Sequence, residues 1–283
     1  MKFGTIRTPD GTTPVICINE DWIVLHQVSP ITKGRDLLEL ITDGTLEKLI
    51  APDAITDVPE SSVISSPPSF GLPYIPRQII CVGRNYVAHA EELGNAVPSS
   101  PMLFNKLPSS CIADQDSVEI REDYGRVDFE GELAVVMGKP LKNARKDEVF
   151  DAILGYTLLN DYTARDIQQK AKDKGHPWLL AKSLNTFCPI GPYITTRDEI
   201  QWPVEVDIKL TVNGEIRQDS NTRKFIFDIP TVISYISSFI PLYPGDIIAT
   251  GTPEGVSPII HGDIVELTIA GLGTLSNPIT SVG

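Results

Sequence analysis

Apolar and polar side chains alternate near the start of the chain, in MKFGTIR, PVICIN and DWIVLHQV, and this predicts short β-strands. The apolar spacing of DLLELITDGTLEKLI then predicts a helix, so Met1 to about Leu49 reads as a small α+β unit. Between Ala51 and Pro76 the pattern dissolves into Pro and Ser, notably SSPPSFGLPYIP, which cannot sustain a helix and reads as an extended linker. A boundary near residue 72 follows, with a small N-terminal domain and linker over 1–72 and a larger domain over 73–283.

In the larger part, QIICVGRNY carries a buried-strand pattern ending at Gly83, and VAHAEEL predicts one or two helical turns closed at Gly94. VDFEGELAVVMG and AILGYTLLND read as strands. TARDIQQKAKDKG reads as a helix opened by a Thr163-x-x-Asp166 capping box and ended at Gly175. Further on come an Asn-Gly hairpin in VDIKLTVNGEIRQ, a helix in IPTVISYISSF, and strands in GDIIATGTPEG and GDIVELTIAG. The fold class is therefore α+β and strand-dominated, with no internal repeat or low-complexity tract.

Composition narrows the function. The chain has 283 residues, 41% hydrophobic and 22% charged, which fits a globular protein. Its net charge of -13 disfavours nucleic acid and anionic membrane as partners, and an anionic substrate would need positive charge gathered locally. No apolar run reaches membrane-spanning length and the start lacks a secretory pattern, so a cytoplasmic protein is expected. Cys17, Cys81, Cys111 and Cys188 have no metal-site spacing and read as free buried thiols.

Glu130 and Glu132 lie two apart in a strand-like segment, which places both carboxylates on one face with room left by Gly131. Two adjacent buried carboxylates would repel and be desolvated, so a counter-charge is required. Asp161 ends a second apolar run, and three hard oxygen ligands suit a divalent magnesium that leaves positions for an oxo acid. A bare E-x-E reads first as surface charge facing water, and it is Asp161 at the end of another apolar run that shifts the balance toward a ligand set. His89 has Glu92 three residues on, which on a helical turn can orient the imidazole as a general base, although such pairs also arise by chance. His26, His176 and His261 lack comparable partners. Lys182 follows the apolar PWLLA run, and Arg165 and Gln168 share a helix face; these hold either substrate oxygens or structural ion pairs. Gly251 to Gly255 forms a tight turn that could bring the Thr252 hydroxyl to a ligand.

Through CVGRNYVAHAEE, VDFEGELAVVMGK, GYTLLNDYTARDIQ, PWLLAKS, VNGEIRQ and PGDIIATGTPEGV, the chain after residue 76 resembles the fumarylacetoacetate hydrolase superfamily. NDYTARDIQ and KGHPWLLAKS look most like its acylpyruvate hydrolase and oxaloacetate decarboxylase branch. The resemblance implies a mixed β-sheet roll with a small N-terminal α+β appendage, usually a homodimer. It further implies Mg2+ or Mn2+ on Glu130, Glu132 and Asp161, a His89–Glu92 base dyad on a mobile lid, and Lys182 steadying an oxyanion. Arg84, Tyr86, Arg165, Gln168 and Thr252 would contact a small anionic oxo acid. Asn185 departs from the Asp common in K-x-x-D-T, and Ser257 from the Gly usual after GTPxGV. The expected reaction is hydrolysis of the C–C bond of an acylpyruvate, with water deprotonated by His89 attacking the distal carbonyl and an enolate leaving. Oxaloacetate decarboxylation, hydroxydienedioate isomerisation or decarboxylation, and a catalytically idle oxo-acid or metal-binding protein stand as alternatives.

Overall fold

The computed structural model describes residues 1–283 apart from 52, 53, 56, 57, 66, 67, 93 and 95. A 10-stranded sheet runs, from edge to edge, through Asp21–Val24, Gly11–Ile18, Lys2–Thr8, Cys188–Thr196, Ile153–Asn160, Gly131–Met137, Ile247–Ala249, Ile79–Gly83 and Met102–Lys106. Its remaining strand, Cys111–Ile112, pairs parallel with Cys188–Thr196 off this path. A 5-stranded sheet is built from Glu215–Asn221, Asp207–Val212, Ile264–Ile269, Gly273–Ser281 and Val118–Ile120. This is the strand-dominated, mixed-sheet architecture expected from the sequence.

The central strands are apolar throughout because both sheet faces are covered: every residue of Gly131–Met137 and of Ile153–Asn160 is buried. The two-residue period divides them between two cores. Leu133, Val135 and Met137 face the core shared with the smaller sheet, including Leu210, Val265 and Leu267. Ala134 and Val136 face a second core that contains Phe3, Ile16, Leu37, Leu40 and Leu46. The N-terminal strands thus extend the large sheet, Lys2–Gly4 pairing with Tyr193–Thr195, and the neighbouring helices cover one of its faces. The boundary near residue 72 is a break in neither sheet nor core.

Several local expectations are corrected. The helix predicted over DLLELITDGTLEKLI is two, Leu37–Thr42 and Thr45–Leu49, because Gly44 takes a left-handed φ of 75°. The strand in DWIVLHQV stops at Val24 and a helical turn, Leu25–Val28, follows. The capping box at Thr163 does not form. Thr163 pairs with Asp128 in a short ladder and gives its hydroxyl to the Asp161 carbonyl, and the helix Arg165–Asp173 starts after Ala164 without a side-chain cap. Part of the proline-rich linker falls outside the described residues; the described part is hydrogen-bonded to the first strands, Arg7 N–H to Ser69 O and Gly71 N–H to Thr5 O. The helix in VAHAEEL spans Val87–Glu92, and Leu93 lies outside the described residues. Of the four free thiols only Cys81 and Cys188 are buried; Cys17 and Cys111 are partly exposed. No helix among the described residues is long and apolar enough to cross a membrane.

Candidate active site

The strand expected to carry both glutamates is interrupted. Val127–Asp128 and Gly131–Met137 are separate strands, and Glu130 sits in the break between them. Its backbone is held there by the neighbouring strand: Glu130 N–H donates to Asn160 Oδ1 and its carbonyl accepts from Asp161 N–H. Leu159 and Asn160 register with Glu132 and Gly131, so Asp161 leaves its strand beside both glutamates. Gly131 is required by close packing, since a Cβ there would come within 2.7 Å of Leu267 and 3.0 Å of Leu210.

One carboxylate oxygen from each of Glu130, Glu132 and Asp161 lies within 4.8 Å of the others, and all three residues are buried. Cations answer two of them. The Lys182 ammonium bridges Glu130 Oε2 at 2.7 Å and Asp161 Oδ2 at 2.5 Å. Lys106, fully buried, holds Asp161 Oδ1 at 2.6 Å and also donates to the carbonyls of Tyr162 and Lys182. The Arg165 guanidinium meets Glu130 Oε1 at 2.6 Å and donates to Asp128 Oδ2 at 2.8 Å, while Arg126 holds the other Asp128 oxygen. Among the described residues Glu132 has no such partner, and its Oε2 accepts the Gly251 N–H at 2.7 Å. Burial opposes ionisation of both glutamates, but at Glu130 the charges of Lys182, Arg165 and His89 outweigh it and hold the carboxyl below its usual range. At Glu132, burial followed by repulsion from Asp161 and Glu130 pushes the carboxyl well above that range. Three hard oxygen donors with one short of positive charge fit a divalent cation of the magnesium type.

His89 stands on the short helix Val87–Glu92, 4% exposed, with Nδ1 3.3 Å from Glu92 Oε2. Glu92 in turn accepts from Gly255 N–H at 3.1 Å. Burial, more than the opposing charges of Glu130 and Glu92, draws the imidazole below its ordinary value of 6.5 and favours its neutral, proton-accepting form. The Gly251–Gly255 turn therefore clamps a carboxylate at each end, Glu132 through Gly251 and Glu92 through Gly255, both glycines having a φ of 96°. Between them Thr252 Oγ1 accepts from Gln218 Nε2 at 2.8 Å, and Gln218 Oε1 takes the Gly131 N–H.

These groups line one cavity together with Arg84, Gln168, Met102, Phe104, Lys172 and Trp178. The sequence-predicted Glu130, Glu132, His89, Arg84, Arg165, Gln168, Lys182 and Thr252 are among its walls. Asp161 lies directly behind, against Lys182, and Glu92 acts on the cavity through His89. Tyr86 is not among the walls: it is buried with its ring 5.0 Å from that of Phe225, and burial, helped by the nearby charge of Glu132, pushes its phenol up. The strand turn after Gly83 sends Arg84, at a φ of 59°, to the cavity and the aromatic ring inward. The sequence reading missed Lys106, Asp128, Gln218 and Lys172. A lysine inside the apolar MLFNK strand was the one available signal for Lys106, since an unpaired charge there would be costly. Asn185 is exposed and donates to Glu119, away from the carboxylates.

Residues 78–280 match the family model described as fumarylacetoacetate (FAA) hydrolase C-terminal. A mitochondrial oxaloacetate tautomerase of Xenopus laevis is 42% identical over 211 residues, 72% of this chain and 66% of that protein. A solved fumarylacetoacetate hydrolase from psychrophilic Exiguobacterium antarcticum is 30% identical with a TM-score of 0.86, covering all of both chains. A 5-carboxymethyl-2-hydroxymuconate delta-isomerase structure from Mycobacterium smegmatis is 34% identical with a TM-score of 0.76, again over all of both chains. With the buried acid triad, the dyad beside it and matches of this extent, the chain belongs to the fumarylacetoacetate hydrolase family of enzymes.

Proposed function

We propose that this chain is a divalent-metal-dependent enzyme that interconverts the keto and enol forms of a small 2-oxo acid, with oxaloacetate as first candidate. The observation that carries the reading is the placement of a buried His89 on the same cavity as Glu130 and Glu132, whose carboxylates converge with that of Asp161 behind the wall. Glu130, Glu132 and Asp161 would hold Mg2+ or Mn2+, which when bound supplies Lewis-acid polarisation of the 2-oxo group.

The chain's own groups do the rest. Glu92 accepts the Nδ1–H hydrogen bond of His89, which leaves Nε2 to take a proton from the carbon beside the carbonyl and deliver it to the enolate oxygen, giving the enol; both transfers run backwards on return to the keto form. Lys182, its ammonium kept charged by Asp161 and Glu130 against burial, places positive charge where the carbonyl oxygen becomes anionic. Arg165 is fixed by Asp128 and Gln168 and so is pre-positioned at the cavity wall. Lys106 keeps Asp161 from turning away.

Hydrolysis of an acylpyruvate is a second reading, favoured by the whole-length likeness to the Exiguobacterium hydrolase. There His89 would deprotonate water rather than carbon. The working unit in either reading is a homodimer, which light scattering tests as twice the chain mass. The deciding assay follows the enol absorbance of oxaloacetate and pyruvate release from acetylpyruvate in parallel, each with magnesium and after chelation. Magnesium-dependent enol–keto exchange supports the first reading. Pyruvate from acetylpyruvate without exchange moves the assignment to the hydrolase, and neither activity leaves an oxo-acid or metal-binding protein.

A further inference from the structure

Helix Arg165–Asp173 presents Arg165, Gln168 and Lys172 on one face, at spacings of three and four residues, and all three line the cavity. Lys172 stands one turn beyond Gln168, about 6 Å further along the helix axis. The deeper cations are spent inside the protein, Arg165 on Asp128 and Glu130 and Lys182 on Glu130 and Asp161. Lys172 is different. Its ammonium has no anionic partner among the described residues and lies 5.2 Å from the ring centre of Trp178, another wall of the cavity. Among the described residues Arg84, on the same cavity, reaches the Met102 sulfur at 3.5 Å and no carboxylate. In a chain with a net charge of -13, unneutralised cations on one cavity wall call for an anion from outside.

We infer that Lys172 is a specificity residue that receives the distal carboxylate of the substrate, so that the enzyme prefers a dicarboxylic oxo acid to a monocarboxylic one. This rests on the enolisation reading above and adds the residue that would select a dicarboxylic substrate. One end of the substrate would be held through the metal on the carboxylate triad. The other end then extends along the helix face toward Lys172. Lys172 is exposed as a residue while its ammonium is partly desolvated at the cavity rim; that desolvation, followed by repulsion from Arg165, Arg84 and Lys182, draws the ammonium below its ordinary value, and an incoming carboxylate offsets the repulsion. The Trp178 ring limits the directions the lysine can take.

The test is calorimetric titration of the magnesium-loaded chain with malate and with lactate, 2-hydroxy acids that differ by the distal carboxylate and cannot enolise. The wild type should bind malate at least about tenfold more tightly, the scale of one charge-assisted hydrogen bond. Lys172→Met should erase that preference with lactate affinity unchanged, and Lys172→Arg should keep most of it. A Lys172→Met protein that retains the wild-type preference, or that loses both ligands equally, overturns the assignment. Turnover of oxaloacetate is read separately: malate preference dependent on Lys172 in a protein that does not exchange enol and keto forms supports the distal site and rejects the enolisation reading.

Discussion

Residues 1–72 and the cavity region bury very different side chains. Among the described residues, the N-terminal segment buries Thr5, Ser29, Thr32, Thr45 and Ser62 as its polar groups, with no Asp, Glu, Lys, Arg or His. The region around the cavity buries His89, Lys106, Asp128, Glu130, Glu132, Asp161 and Lys182. Such hydroxyls are satisfied by backbone carbonyls, Thr32 on Ser29, Ser62 on Pro59 and Thr5 on Pro73, and need no counter-charge. Buried charges are costly, and a network of them is seldom more stabilising than apolar packing of the same volume. The contrast assigns packing to the first region and chemistry to the second, although one sheet joins them.

The largest effect should come from the cavity. Glu132→Ala is expected to lower metal-dependent turnover by at least about 10³-fold while circular dichroism stays native, because Lewis-acid stabilisation amounts to several kcal/mol. Near-normal turnover would remove Glu132 from the metal site. On the other side of the comparison, Leu40→Ala empties a fully buried position in the core that joins the two regions. It should lower unfolding stability by about 2–5 kcal/mol in a denaturant titration and leave kcat at 25 °C within about twofold. A large drop in kcat with the fold intact would mean that the N-terminal layer takes part in chemistry.

A third test concerns pH. Burial draws His89 below 6.5, so its neutral form is already dominant at neutral pH and protonation removes the base only under more acidic conditions. The acidic limb of the kcat/KM profile should therefore fall below pH 6.5, and His89→Gln should abolish that limb along with about 10²–10⁴-fold of the rate. A limb above 6.5, or one that survives the substitution, would assign the titration to another group.

Much of this was legible in the sequence. Fully apolar runs marked the central strands, and the Asn213–Gly214 turn and the helix Ile229–Ser237 follow their local signals. The three carboxylates and Lys182 were legible because each is a charged residue in or beside an apolar run, and His89 and Glu92 through their spacing of three on a helical turn. The interruption at Glu130 was not, since it depends on Asn160 from another strand taking over its N–H. Lys106, Asp128 and Gln218 escaped for the same reason: each acquires its role from a residue far away in the chain, Asp161, Arg165 and Thr252 respectively. Thr163 misled because its hydroxyl serves the Asp161 carbonyl instead of a helix end. Lys172 could have been found from the spacing with Arg165 and Gln168, but it stands between two other lysines in KAKDK, a pattern typical of a solvated face.

The most direct test of the central claim, that the three buried acids form a divalent-metal site, is calorimetric titration of Mn2+ into the metal-free wild type and Glu132→Gln. The account predicts one ion per chain in the wild type and affinity at least about tenfold weaker in the folded variant, the usual scale for losing one charged ligand. Equal stoichiometry and affinity in the two proteins would contradict it.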